Sequence, residues 1–248
     1  MTTDRKLSWD GCPNARDLGG LQTASGSSIR RAALIRSDNF GRLTEAGIAA
    51  VEQAGVSLVI DLRSAFELEI EANPFATRAS SVTYRHLPLI NDADAEGLEL
   101  VQKARDATEM YEVMLERFKP QIGAILEAIA DAPAGGVVVH CHAGKDRTGL
   151  VVALLLALAG VSADVIAEDY ALSDQYLQAL YEEMLSNQPD DESRAQLAAV
   201  LTSKPESMLG ALGYIEHHFG GVESYLRACG LDAATLERLH SRLLEVHS

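Results

Sequence analysis

The sequence predicts an α/β fold: a central, mostly parallel sheet flanked by helices, followed by a helix-rich C-terminal half. Apolar strand-like runs alternate with helix-like stretches over the first 140 residues, which is typical of strand–helix–strand units. Helical patterns then continue to Glu245. The chain has 248 residues, of which 47% are hydrophobic, and no linker or internal repeat is visible. We therefore expect one domain over residues 1–248.

The first elements are a helix that ends at Gln53, with Thr44 as its expected N-cap, and a strand at 57–60. A polar connection that contains Pro74 follows. The next elements, in chain order, are a strand at 82–89, helical stretches at 95–118 and 121–130, and a strand at 136–140.

Polar residues follow three of the predicted strands. Asp61 closes the strand at 57–60, Asn91 and Asp92 follow the strand at 82–89, and Cys141 directly follows the strand at 136–140. Ligands of parallel α/β sheets bind outside the carboxyl ends of the strands. We therefore expect these residues to lie along one edge of the sheet.

One stretch decides the predicted chemistry: His140-Cys141-His142-Ala143-Gly144-Lys145-Asp146-Arg147-Thr148-Gly149. It lies between an apolar strand and a helix-like run, so its backbone N–H groups are expected to converge at a helix N-terminus and bind an oxyanion. A cysteine in that position ionises readily. The planar guanidinium of Arg147 can contact two phosphate oxygens at once. This combination is suited to removing a phosphoryl group from an ester.

Other interpretations of this stretch fit less well. A Walker nucleotide-binding loop requires glycine where Val139 stands and serine or threonine where Asp146 stands. A buried structural cysteine would not require the Gly-Lys-Asp-Arg residues that follow Cys141. A rhodanese-like sulfurtransferase also presents a cysteine to backbone amides, but the spacing to Arg147 fits that class poorly.

The Cys-x5-Arg spacing followed by threonine resembles the signature of cysteine-based protein tyrosine phosphatases. The Ala-Gly-Lys-Asp-Arg-Thr-Gly filling is similar to that of the atypical bacterial tyrosine and phosphoinositide phosphatases, and the resemblance covers most of the chain. It implies a protein tyrosine phosphatase-like fold that needs no metal or cofactor. Four further stretches carry the resemblance: 14–20, 36–38, 60–64 and 220–226.

The resemblance implies that Cys141 is the nucleophile and that Arg147 stabilises the transition state. It also suggests that the Thr148 hydroxyl contacts the sulfur, although Thr148 could simply begin a helix. His140 is expected to shape the loop by hydrogen bonding to the loop backbone and not to act as a base. The residues expected to bind the phosphate are His142, Ala143, Gly144, Lys145, Asp146, Arg147 and Thr148.

The general acid is left open between two main candidates. Many relatives use an aspartate on a separate loop, which corresponds to Asp92 or the nearby Asp94. In the atypical bacterial group the aspartate inside the signature takes part, which favours Asp146 slightly over Asp92. Asp61 is a third candidate with a more structural role. A proton donor of this kind contributes typically about 10²–10⁴-fold to the rate.

Other charged residues also have two interpretations. Lys145 is expected either to supply the positive charge that phosphoinositides need or to pair on the surface with an acid such as Glu67. Asp17 is expected either to orient Arg16 beside the loop or to be structural. Two stretches, 92–116 and 187–206, are candidate lids over the site.

Composition limits the partners. The formal charge of −15 argues against a nucleic-acid partner, which would require a basic surface. The expected partners are a phosphorylated protein or a phosphoinositide as substrate, and phosphate as product or inhibitor.

A catalytic thiol needs a reducing compartment, so we expect a cytoplasmic protein, with signal-independent secretion left open. The run 150–159 is too short for stable membrane insertion. A degenerate phosphate-binding module is the main alternative to an enzyme.

Overall fold

The computed structural model describes residues 5–245, and its strands form one five-stranded sheet in the order β1-β2-β5-β3-β4. β1 pairs antiparallel with β2, and all the other neighbours are parallel, which confirms the predicted mostly parallel sheet. The expected single domain includes residues 1–4 and 246–248, which lie outside the described residues. The strands are β1 (Arg16–Asp17), β2 (Leu34–Ser37), β3 (Val56–Asp61), β4 (Thr83–His86) and β5 (Gly136–His140).

β5 occupies the centre of the sheet, and all five of its residues are buried. Such a strand is covered on both faces, so a continuous apolar run replaces the alternating pattern of a half-exposed strand. Val137 and Val139 pack into one hydrophobic cluster, whereas Val138 packs into a second cluster on the opposite face. This alternation follows from the two-residue repeat of a β-strand.

Helices cover both faces of the sheet and make up most of the chain after β5. The helices of the described residues are α1 (Glu45–Gln53), α2 (Ala65–Ile70), α3 (Ala95–Lys103), α4 (Ala107–Arg117), α5 (Lys119–Ala130), α6 (Asp146–Leu158), α7 (Ala163–Tyr176), α8 (Gln178–Ser186), α9 (Asp191–Leu201), α10 (Pro205–Phe219), α11 (Val222–Ala228) and α12 (Ala233–Leu243). None of them, within residues 5–245, has both the length and the hydrophobicity that crossing a bilayer requires.

Two predicted elements differ from the structure. The stretch at 95–118 is two helices, because Ala104 leaves the helical conformation and the side chain of Asp106 accepts from the Glu109 N–H to start α4. The strand predicted at 82–89 is shorter, since β4 ends at His86. Pro88, two residues later, has no N–H to continue the ladder. The candidate lid stretch 92–116 thus includes α3 and nearly all of α4.

The register of the sheet aligns the carboxyl ends of three strands. His140, the last residue of β5, is paired with Ser37 of β2 on one side and Asp61 of β3 on the other. Each strand therefore ends at the same level, and the residues that follow them meet at one edge. The loop that begins with Cys141 leaves the sheet at this edge and leads directly into α6.

Candidate active site

The signature loop, defined here as residues 141–147, turns sharply between β5 and α6. Gly144 makes the turn with φ of +65°, in the left-handed region that favours glycine. A Cβ atom at this position would lie 2.2 Å from the carbonyl oxygen of Ser37. Only glycine therefore lets the loop pack this closely against the end of β2.

Four consecutive carbonyl groups of the loop, those of residues 142–145, accept hydrogen bonds from groups outside it. The donors are Asn39 N to His142 (3.0 Å), Asn14 Nδ2 to Ala143 (2.8 Å) and Gly144 (3.3 Å), and Arg36 Nη2 to Gly144 (2.8 Å) and Lys145 (3.3 Å). In a trans peptide the next N–H is directed opposite to the carbonyl. The N–H groups of residues 143–146 are therefore turned away from these supports, into the loop.

The N–H groups of residues 143–146 donate to no other group of the described residues. In addition, α6 begins without a side-chain cap, whereas α2 begins with a complete capping box. Unpaired N–H groups at the start of a helix carry a partial positive charge and bind anions. The loop thus has the backbone geometry of an oxyanion site.

Arg147 forms an ion pair with Glu67, which lies on α2. Its Nη1 and Nη2 atoms donate to the two carboxylate oxygens at 2.5 and 2.7 Å. Burial opposes the charge on Arg147, but Glu67 and the nearby Cys141 sulfur raise its pKa above the usual value. Burial likewise opposes ionisation of Glu67, yet Arg147 lowers its pKa to about 2. Both partners are charged at neutral pH.

Lys145 does not pair with Glu67, which corrects the surface-pair interpretation of the sequence. Its ammonium donates to carbonyl oxygens at the C-terminal end of α9, at 2.7 Å to Val200 and 3.2 Å to Leu201. The residue is only 4% exposed. Lys145 therefore connects the loop to the candidate lid stretch 187–206. Its ammonium is bound to these carbonyl oxygens and does not point freely into solvent.

Asp146 is oriented by two buried tyrosines. The hydroxyl of Tyr111 donates to Asp146 Oδ1 at 2.6 Å and lies 2.7 Å from the hydroxyl of Tyr170. Because Tyr111 has one proton and gives it to Asp146, Tyr170 must donate to Tyr111. Oδ2 of Asp146 accepts no hydrogen bond within residues 5–245, but it forms an ion pair with Lys145 Nζ at 3.7 Å.

The other candidate acids occupy different places. Asp92 is exposed, and its Oδ2 accepts from the N–H of Ala65, the first residue of α2. Asp94 caps α3 and pairs with Arg117, which lowers the pKa of Asp94 to about 2. Asp61 is fully buried; burial raises its pKa, but His140 and Arg63 outweigh this and hold it well below the usual range. These contacts favour a structural role for Asp61.

His140 and Thr148 are the other two residues of the signature for which the sequence predicts a role beside Cys141. The His140 ring stacks on Phe40, its Nε2 lies 2.9 Å from Asn73 Nδ2, and its Nδ1 lies 3.2 Å from the Cys141 carbonyl oxygen. The Thr148 hydroxyl is buried and has no hydrogen-bond partner in residues 5–245. The hydrogen bond expected between Thr148 and the Cys141 sulfur is therefore absent here.

One interpretation of the sequence was that Asp17 orients Arg16, and the structure shows that it does not. Its carboxylate instead accepts from the N–H groups of Gly19 (2.8 Å) and Ala32 (3.1 Å), and so holds a turn together. Arg16 is bound by Asp169 of α7, with Nη2 donating to the Asp169 carbonyl at 2.8 Å. The partner of Arg16 comes from a distant part of the sequence.

Comparison with known proteins identifies the family. A family model described as the tyrosine phosphatase family matches residues 7–245. The chain belongs to this family. It is 32% identical to a tyrosine-protein phosphatase of Nostoc commune, with 88% of this chain and 76% of the relative aligned. It is 30% identical to PtpB of Mycobacterium tuberculosis, named a triple specificity protein phosphatase, with 94% and 97% aligned. The family resemblance is thus confirmed, and this tyrosine phosphatase family member is a phosphoric monoester hydrolase.

Three contacts of the site were not predicted from the sequence, which named Glu67 only as a partner for Lys145 and did not name Tyr111 or Asp169. Glu67 was identifiable as the last residue of a Ser-x-x-Glu capping box, in which Ser64 and Glu67 exchange hydrogen bonds. That pattern predicts the start of a helix but not the contact with Arg147. Tyr111 and Asp169 have no local signal, because each acts on the loop from a separate helix.

Proposed function

We propose that this phosphatase hydrolyses protein phosphotyrosine through a cysteinyl-phosphate intermediate, with phosphoserine, phosphothreonine and phosphoinositides as lesser substrates. The four inward N–H groups beside Cys141 are the observation that carries the proposal. They can hold the equatorial oxygens of a phosphoryl group, together with Arg147, while the Cys141 thiolate attacks phosphorus. The ester P–O bond breaks as the S–P bond forms.

The proton for the leaving oxygen comes from Asp146, with Asp92 as the alternative. Asp146 lies in the loop next to Arg147, and Tyr111 fixes its orientation through Oδ1, which leaves Oδ2, the oxygen nearer Lys145, to carry the proton. In the second step Asp146, now ionised, takes a proton from the attacking water as the water oxygen bonds to phosphorus, the S–P bond breaks and inorganic phosphate leaves. The Thr148 hydroxyl has no partner within residues 5–245, so a change of its rotamer would be needed for it to donate to the sulfur as negative charge returns there.

Two observations favour a phosphoprotein over a phosphoinositide. Lys145, the cation that extra phosphates would require, is already bound to the carbonyl oxygens at the end of α9. Phe66 and Ile70 of α2 are 68% and 67% exposed. They are four residues apart on one face of the helix and flank Glu67, the partner of Arg147. An apolar surface beside the loop suits the side chains next to a phosphotyrosine better than a polyphosphorylated ring.

The nucleophile also indicates the compartment. All three cysteines are free and buried, and an active Cys141 must stay reduced. This supports a reducing cytoplasmic environment.

Turnover of a generic aryl phosphate tests the proposal. The wild-type protein is expected to hydrolyse it, Cys141→Ser is expected to be inactive, and Cys141→Ser is expected still to bind a phosphotyrosine peptide. Acid quenching during turnover should leave phosphate covalently attached to the peptide that contains Cys141. Binding without turnover in the wild-type protein would instead indicate a binding module. Sulfur transfer from thiosulfate to cyanide, with no phosphatase activity, would indicate a sulfurtransferase.

A further inference from the structure

A buried cluster of charges lies behind the signature loop. Asp169 of α7 is 2% exposed, and its carboxylate pairs with three arginines. The distances are 2.7 Å from Oδ1 to Arg5 Nη1, 3.3 Å from Oδ1 to Arg16 Nε and 2.9 Å from Oδ2 to Arg36 Nη1. Three cations around one buried carboxylate are costly, and apolar residues often stabilise a core better. A contribution to stability therefore does not explain why these four charged residues lie together.

Two routes lead from this cluster to the loop. Arg36 uses Nη1 for Asp169 and Nη2 for the carbonyl oxygens of Gly144 and Lys145. Arg16 binds the side-chain oxygen of Asn14 at 2.6 Å, which turns the Asn14 amide nitrogen toward the loop carbonyls. Both routes therefore end on the backbone of the loop.

We propose that Arg36 and Asn14 are positioning residues for the phosphatase reaction, and that Asp169 fixes the orientation of Arg36. Together they hold three successive carbonyls outward, those of residues 143–145. Peptide planarity then directs the N–H groups of residues 144–146 inward, toward the phosphoryl oxygens. These hydrogen bonds hold the loop before substrate arrives, so the peptide N–H dipoles need not reorganise when the transition state forms. This inference rests on the function proposed above.

The chain offers a matched control in Arg5. Arg5 and Arg36 each make one short ion pair with Asp169, at 2.7 and 2.9 Å. Arg36 also contacts the loop, whereas the hydrogen bonds of Arg5 go to Asp169 and to the carbonyl oxygen of Asp17. A lysine at either position keeps a positive charge near Asp169, but it has no second terminal nitrogen for another contact.

The experiment compares Arg36→Lys with Arg5→Lys. The inhibition constant of inorganic phosphate and the kcat for an aryl phosphate are measured below the melting temperature of each variant. For Arg36→Lys we expect phosphate to bind about tenfold more weakly and kcat to fall at least as much, because the N–H groups are misaligned. Arg5→Lys should stay within about twofold of wild type on both measures, even where its melting temperature falls equally.

Asn14→Ser provides a second test if Arg36→Lys does not fold. It changes no charge, yet it removes the Nδ2 donor to Ala143 and Gly144. It should weaken phosphate inhibition in the same direction. Wild-type phosphate affinity in folded Arg36→Lys or in Asn14→Ser, or an equal loss in Arg5→Lys, would overturn the proposal while leaving the phosphatase function intact. A wild-type protein that neither turned over aryl phosphate nor bound phosphate would overturn both.

Discussion

Arg147 and Glu67 are joined by two hydrogen bonds, from Nη1 at 2.5 Å and from Nη2 at 2.7 Å. The pair occupies the end of the guanidinium and leaves its Nε edge available. A guanidinium has five N–H donors in one plane, so this second edge can contact two phosphate oxygens while the first stays on Glu67. Glu67 thereby fixes the plane of the Arg147 guanidinium, and in the proposed mechanism this is the plane that receives the phosphate oxygens.

Replacing Arg147 with lysine should abolish most activity. An ammonium is a point charge that cannot serve Glu67 on one side and two phosphate oxygens on the other. We expect kcat/KM for an aryl phosphate to fall at least about 10²-fold, because a transition-state donor is lost. Steady-state kinetics with matched protein concentrations measures this. Near-normal turnover would refute the role assigned to Arg147.

Glu67→Gln should reduce kcat about tenfold, because Arg147 loses the charged partner that fixes its orientation. Glu69→Gln is the control, since Glu69 is exposed on the same helix and the change of charge is identical.

Circular-dichroism melting measures how much the ionised Glu67 side chain stabilises the fold. Because the pKa of Glu67 is lowered from 4.5 to about 2, the stability from ionised Glu67 is fully present above pH 4.5.

That stability is lost as the pH falls from 4.5 toward 2. The difference in melting temperature between wild type and Glu67→Gln should therefore be largest near neutral pH and shrink near pH 2. A difference that is constant over this range would show that ionised Glu67 does not stabilise the fold.

The proton donor can be identified by the leaving group. Asp146→Asn and Asp92→Asn are compared on aryl phosphates whose phenols have low and high pKa values. A poor leaving group depends on proton donation, so the variant that lacks the acid should lose much more activity on that substrate, by roughly 10²-fold or more. We expect this pattern for Asp146→Asn. The same loss on both substrates in both variants would remove each aspartate from the role.

Much of the fold and part of the site could be predicted from the sequence, because the signals are local. The Cys-x5-Arg loop, the apolar run of β5 and the N-cap at Thr44 each lie within a few residues. The contacts of the loop could not be predicted, because they join distant segments. Asp169 is 133 residues from Arg36, and Glu67 is 80 residues from Arg147. Their partners are decided by packing, which no local pattern encodes.

The exposed apolar face of α2 should affect the rate of hydrolysis of peptide substrates but not of small aryl phosphates. Phe66→Ser should lower kcat/KM about tenfold for a phosphotyrosine peptide with apolar neighbours, because contact with a phenyl ring contributes about 1.5–3 kcal/mol when fully buried. Activity on a small aryl phosphate should not change. Met184→Ser is the control, since Met184 is another exposed apolar residue, 37% exposed on α8 and outside both candidate lid stretches. Equal effects of the two substitutions would show that α2 does not contact the peptide.

Asp38, which lies close to the loop, should make the stability of the protein depend on pH. It follows β2 and accepts from the Asn14 N–H, and burial raises its pKa from 3.8 to about 7. The folded state therefore binds the proton more tightly than the unfolded chain, so stability is lost as the pH rises from 3.8 to 7. Asp38→Asn keeps an oxygen acceptor but cannot ionise. Its stability relative to wild type should increase over this range, by on the order of 4 kcal/mol at most. Urea unfolding of both proteins at pH 5 and pH 8 measures the change, and a difference that did not grow with pH would contradict it.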